Sequence, residues 1–264
     1  MSESVSDAGS DVPTRAFHAV VDADAIRTAV ELVDALFDEC HLYLDEEGIR
    51  LSGIDPATVA SVELTLGRAA FDAYEATGVH TGVGLSRLKD VLGMADSGQV
   101  VAFDLAPETR TLEIRIGGLE YTLALLDPDT IRQPPDSPDG GFDFTGEVVA
   151  RADDFDRAVR AADMVSNHLA LGIDADDDAF YAEAEGDTDD VSLALADGDL
   201  VEFTPGEAHS LFSLDYLTAI DRAMPTDREI ELRLGTEQPA TIAYEFADGA
   251  GSVEYLVAPR ISSS

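Results

Sequence analysis

Two stretches of this 264-residue chain carry the same apolar pattern 129 residues apart. Ile26, Ala29, Val30, Val33 and Leu36 share one helical face, and Phe155, Ala158, Val159, Ala162 and Val165 repeat that spacing. Asp24, and Asp153 or Asp154, are suited to cap these helices. Each helix leads into a strand that begins at a histidine, His41 or His168, at equivalent points of the repeat. A second helix follows in each half, carried by Leu85, Leu88, Val91 and Leu92, then by Leu214, Leu217, Ile220 and Met224. Alternating strands come next, Val100 to Leu105 and Thr111 to Ile116 matching Ile230 to Leu234 and Thr241 to Phe246. The closing strands match too, Leu119 to Leu125 (LEYTLAL) against Val253 to Pro259 (VEYLVAP). A duplicated chain of this kind folds as two similar domains. Strands outnumber helices and most connections suit antiparallel hairpins, so the class is α+β, with two helices per domain packed on antiparallel sheets.

Between the halves, Asp127 to Gly141 holds four prolines and two glycines, which continue neither a helix nor a central strand. The expected boundaries are an acidic tail over 1–14, a first domain over 15–126, a stretched connecting loop over 127–141 and a second domain over 142–264.

Charge sets the surroundings. Against 54 acidic residues stand 16 basic ones, for a formal charge of -38. Such a chain repels itself in ordinary buffer. In molar salt the Debye length falls to about 3 Å and the repulsion is screened. A disordered acidic chain is excluded by its regular apolar periods. The start of the chain has no apolar core for a signal peptide, and no apolar run reaches the roughly 20 residues of a membrane span. Cys40 is the single cysteine, so no internal disulfide or thiolate cage forms. The expectation is a salt-adapted cytoplasmic protein with no membrane partner.

The search for catalytic residues returns none. Histidines 18, 41, 80, 168 and 209 form no metal-binding pair, and Gly82-Val-Gly84 lacks the rest of a phosphate-binding loop. Asp174, Asp176, Asp178 and Glu185 mimic a calcium loop, but Ala179 stands where glycine is required, so a solvated acidic turn is expected. No metal site and no cofactor are expected. The few cations are more informative. Arg27, Arg87, Lys89, Arg157, Arg160 and Arg222 all sit on or beside the four helices. Two readings stand level: one basic surface, or pairing of each with a neighbouring acid such as Asp156 or Asp221.

Three segments carry a resemblance to a known family. They are Gly48 to Leu66 (GIRLSGIDPATVASVELTL) followed by Phe71 and Tyr74, Leu125 to Asp127 entering the proline-rich loop, and Tyr255 to Ile261 (YLVAPRI). Together they resemble the sliding clamps of archaea and eukaryotes, the proliferating cell nuclear antigen type, over Phe17 to Ile261. The resemblance implies a salt-loving archaeal processivity factor for DNA replication and repair, without enzymatic activity. It implies a closed homotrimeric ring around double-stranded DNA, placed there by a clamp loader. DNA polymerase, flap nuclease and ligase would dock through short motifs on Ile54, Thr58, Val59, Ile131, Pro134, Pro239, Ala258 and Pro259. The six helix cations would face DNA. Subunits would join through two strands with no evident partner in their own half, bearing Leu119, Tyr121, Leu123 and Leu125 on one and Val191, Leu193 and Leu195 on the other. The alternative is an acidic two-domain metal-dependent hydrolase using the aspartate clusters.

Overall fold

The structure is a computed structural model that describes residues 15–106, 109–134 and 141–260. The acidic tail, residues 135–140 of the connecting loop, and Ile261 lie outside the described residues.

The first half runs β1 (Phe17–Asp22), α1 (Ala23–Asp34), β2 (Glu39–Leu44), β3 (Gly48–Ile54), β4 (Ala60–Gly67), β5 (Phe71–Ala76), β6 (Val79–Gly84), α2 (Leu85–Leu92), β7 (Val100–Leu105), β8 (Thr111–Ile116) and β9 (Leu119–Ala124). The second runs β10 (Gly146–Arg151), α3 (Ala152–Ala162), β11 (His168–Asp174), β12 (Ala179–Glu185), β13 (Asp190–Ala196), β14 (Glu202–Thr204), β15 (Ala208–Ser213), α4 (Leu214–Ala223), β16 (Glu229–Leu234), β17 (Ala240–Phe246) and β18 (Gly251–Val257). The duplication read from the pattern is thus matched element for element.

Strands assemble into sheets ordered β5-β1-β7-β8-β9, β14-β10-β16-β17-β18-β4-β3-β2-β6, and β13-β12-β11-β15. The long sheet crosses from one half to the other. Its junction is the antiparallel pair β18–β4, running from Gly251 opposite Leu66 to Val257 opposite Ala60. Val62, Leu64, Leu66, Val253, Tyr255 and Val257 all point inward there and are buried. Tyr255 donates its hydroxyl to the Leu32 carbonyl of α1 at 2.9 Å, tying a second-half strand to a first-half helix. The helices pack pairwise, α1 on α2 and α3 on α4, and α1 meets α4 at the junction. Each buries an apolar stripe: Ile26, Ala29, Val30 and Val33 on α1, and Phe155, Ala158, Val159 and Ala162 on α3.

Strand register and helix capping correct three details of the sequence reading. Glu39 pairs with Gly84 as His168 pairs with Ser213, so His168 corresponds to Glu39 and His41 to Ala170. The residue accepting the N–H of Asp24 at the start of α1 is Asp22, one step before the expected run. On α3, Asp153 and Asp154 lie in the first turn, where they favour the helix dipole, while Arg151 occupies the cap without a side-chain bond. The acidic Asp174 turn is a hairpin between β11 and β12 in which the Asp174 carboxylate accepts the N–H groups of Asp176 and Asp177.

Tyr255→Phe removes one buried hydrogen bond at the junction and leaves the packing. It should cost about 1 kcal/mol and lower Tm by about 2–4 °C, read by calorimetry in molar potassium chloride.

Candidate docking surface, free sheet edges and helical face

The turn between β3 and β4 is built on Asp55. Its carboxylate accepts the N–H groups of Ala57 at 2.9 Å, Val59 at 2.7 Å and Ala60 at 2.7 Å. It also accepts the Tyr216 hydroxyl of α4 at 2.9 Å. Burial alone would raise the Asp55 pKa, but the Ala60 N–H, the Tyr216 hydroxyl and the other two N–H groups outweigh it and hold the carboxyl below its ordinary range. Burial, then Asp55, pushes Tyr216 up to about 12. Thr58 takes a positive φ of 60°, which the Asp55 bonds over-determine. This turn presents Thr58 exposed and Ile54 and Val59 half-buried.

The tail meets that turn because β18 runs antiparallel to β4. Ala258 donates its N–H to the Val59 carbonyl at 2.7 Å, and Arg260 donates to the Leu211 carbonyl at 2.7 Å. Pro239 precedes Ala240, the partner of Val257, so it sits beside Ala258 and is buried. Val59, Pro239, Ala258 and Pro259 therefore come together. Leu256, opposite Ser61, projects between inward-facing Tyr255 and Val257 onto the same outer face. Sequence reasoning missed it, although an apolar residue out of phase with a buried row is a visible signal.

The connecting loop seats on the far side of β2. Ile131 was expected as an exposed docking residue; instead it is 8% exposed. A Cβ placed on Gly82 would collide with Ile131 Cδ1, so glycine makes the seat and the side chain is used in fastening the loop. Gly82 and Leu126 exchange two backbone hydrogen bonds, of 3.0 and 2.8 Å. His41 lies under the loop: Nε2 is 3.2 Å from the Arg132 carbonyl and Nδ1 is 3.1 Å from His80 Nε2. Nε2 donates to that carbonyl, since a carbonyl oxygen can only accept. The His80 ring stacks on Tyr43 at 4.2 Å, and the Arg50 guanidinium covers the other part of the cluster, 3.7 Å from the Tyr43 centroid. Burial, then His41 and Arg50, lowers the His80 pKa. Pro134 is half-buried where the described loop ends.

The two strands that lacked an evident partner each have one, and each ends its sheet. β9 pairs with β8, and β13 with β12. Leu123, Leu125 and Leu195 are buried in the chain's own core. Leu119 is 37% exposed, and Tyr121, Val191 and Leu193 are half-buried, so these four side chains and the bare backbone edges are what a partner can reach.

The helices carry nine acids and six cations. Four of the cations are engaged: Arg27 with Asp24 at 3.0 Å, Lys89 with Asp34 at 2.6 Å, Arg157 with Asp154 at 2.6 Å and Arg160 with Asp156 at 3.4 Å. Arg27 also donates to the Ala95 carbonyl, bracing α1 to the segment after α2. Arg87 and Arg222 are exposed and make no hydrogen bond or ion pair among the described residues, although the Arg222 charge acts on Asp221. Burial and then Asp156 push the Asp221 carboxyl up to about 6. Local pairing thus accounts for most of these cations.

A duplicated α+β chain with four helices in one layer, sheets behind them and a strand junction between halves is a DNA clamp in architecture. The comparisons agree. The proliferating cell nuclear antigen N-terminal domain family matches residues 18–116. A DNA polymerase sliding clamp of Haloarcula marismortui is 53% identical over 94% of this chain and 99% of its own length. One of Halobacterium salinarum is 52% identical over 94% of this chain and all of its own. Among solved structures, the A. fulgidus PCNA bound to the C-terminal region of FEN-1 superposes with a TM-score of 0.87 at 30% identity, covering 94% of this chain and all of that one. The chain belongs to the DNA polymerase sliding clamp family, of the proliferating cell nuclear antigen type.

Asp55→Ala strips three N–H groups and one hydroxyl of their acceptor and should cost about 2 kcal/mol near neutral pH. The wild-type Asp55 pKa is depressed on folding, so its contribution is present above the unfolded value of 3.8 and fades as pH falls through the lower folded value. Denaturant titration of both proteins at pH 7 and pH 3 should show the gap between them narrowing in acid.

Proposed function

We infer that three copies of this chain close into a ring around duplex DNA and tether replication and repair proteins to it, with no chemistry of their own. The observation that carries this is a mismatch of edges. Within the chain, β18 of the second half pairs with β4 of the first. Their counterparts in the duplication, β9 and β13, each end a sheet with one edge unpaired. A second copy can repeat the internal contact head to tail, and such a contact closes into a ring when its rotation allows. Transferring the β18–β4 register sets Tyr121 opposite Val191 and Leu119 opposite Leu193 of the next copy. Those are the side chains left accessible on the two edges.

The helical layer then faces DNA with Arg27, Lys89, Arg157, Arg160 and Arg222, most of them already neutralised by acids. Phosphate binding by charge weakens steeply with salt. A closed ring needs no such grip, because topology holds it. On the outer face, Ile54, Thr58, Val59, Leu256, Ala258 and Pro259 form an apolar stretch for a short partner motif, such as the C-terminal region of a FEN-1 nuclease or a polymerase tail. Pro134 of the connecting loop would border it. A clamp loader and a ligase would read the same surface. The hydrolase alternative has no support: no group of three or more His, Cys, Asp or Glu among the described residues is placed to hold a metal.

Light scattering in 2 M potassium chloride should give three times the 28.0 kDa of one chain. A monomer at micromolar concentration would sink the ring. As salt is lowered, mass should fall before the circular dichroism of the fold is lost, since repulsion between copies is relieved only by screening.

Docking is tested by titrating a FEN-1 C-terminal peptide. Val59→Asp or Ala258→Asp should weaken it at least tenfold, roughly the loss of one buried anchor at 1.4 kcal/mol per decade, with the trimer intact. Unchanged affinity in both variants would place the docking surface elsewhere.

A further inference from the structure

Arg87 stands out in a chain so rich in acid: it is exposed on α2 and has no partner among the described residues. The duplication says what its place is for. β6 runs into α2 at Gly84–Leu85 as β15 runs into α4 at Ser213–Leu214. Counting from these points, Arg87 is the counterpart of Tyr216. Tyr216 reaches across the internal junction and donates its hydroxyl to Asp55 in the β3–β4 turn of the other half. The counterpart of that turn is the one between β12 and β13, Gly186 to Asp189, at the free β13 edge.

That turn differs from its relative in one respect. The β3–β4 turn folds its single aspartate inward onto backbone N–H groups. In the β12–β13 turn Asp187 and Asp189 are exposed, and neither makes an ion pair among the described residues. With Asp163 and the exposed Met164 at the end of α3, they line an open groove of about 890 Å³. Where the internal junction fills the corresponding place with Tyr216, the single chain leaves this one empty.

We propose that Arg87 is a subunit-interface residue rather than a DNA contact, and that its guanidinium enters the acidic Gly186–Asp189 turn of a second copy of this chain. The contact repeats Tyr216 on Asp55, with a hydrogen bond between neutral donor and carboxylate replaced by an ion pair. It lies beside the strand pairing and is flanked by Met164, so it is shielded from salt more than an open surface pair. It rests on the head-to-tail ring proposed above. Because a guanidinium stays charged at all working pH, Arg87 itself adds no pH dependence to the clasp.

The test is a charge-swap cycle read by light scattering in 2 M potassium chloride across a dilution series. Arg87→Ala should raise the concentration at which half the chain is trimeric by about tenfold, in line with coupling measured for close interfacial charge pairs. Arg87→Glu should raise it further. Combining Arg87→Glu with Asp187→Arg or with Asp189→Arg should bring it back towards wild type, and the better rescuer identifies the partner acid. An unchanged trimer in Arg87→Ala and Arg87→Glu overturns the proposal. So does a weakened trimer that neither acid swap restores. If Arg87→Ala leaves the trimer intact but shortens retention on circular DNA, the residue faces DNA instead. A wild-type chain that is never trimeric at any salt would fail the ring reading itself, a distinct result.

Discussion

The backbone ladder between β18 and β4 is the contact on which the rest of the molecule hangs. It makes one nine-stranded sheet out of two half-chains. Because the strands are antiparallel, the end of β18 meets the start of β4, and this alone brings the tail at Ala258 to the turn at Val59. The same ladder brings α4 against α1, so that Tyr216 can reach Asp55 and Tyr255 can reach Leu32. The β3–β4 turn with the tail beside it, the helices and the free edges are all positioned by a junction that contains no covalent link beyond the connecting loop.

Much of this was legible in the sequence, for a physical reason. Helical and strand periods are set by burial, and a duplicated chain shows each period twice, so the helices, the closing strands and the free edges could be read by comparing halves. What failed depended on contacts that no period records. The histidines misaligned because the β2 and β11 strands start differently, and only pairing with β6 and β15 reveals the true match. The cap of α1 fell on Asp22 because a run of aspartates offers several caps and the backbone chooses one. Ile131 looked like a surface anchor among prolines, yet the missing side chain of Gly82, 49 residues away, makes room for it. His41 gave no hint that its ring would hold a carbonyl of the connecting loop.

The charge distribution repays the same comparison. Cations are scarce, and most pair with an acid close by in the fold. Arg50 with Glu63 and Arg233 with Glu254 flank the point where Glu63 and Glu254 face each other across the junction. Like charges directly opposite would destabilise the pair, and each is neutralised from its own side. The acidic excess is thus kept where water and salt can reach it, while the internal junction is balanced.

The shared element order of the two halves has a consequence for motion. The proposed ring of three chains would present six helix pairs to the duplex, spaced at roughly equal angles. B-form DNA repeats every 10–10.5 base pairs, a period that no sixfold arrangement of contacts can match in step. Phosphates approached by one copy are out of phase with those at the next, so the sum over copies varies little as the duplex turns or advances. In the proposed ring this internal repetition would flatten the energy along the DNA axis, leaving a track with shallow wells.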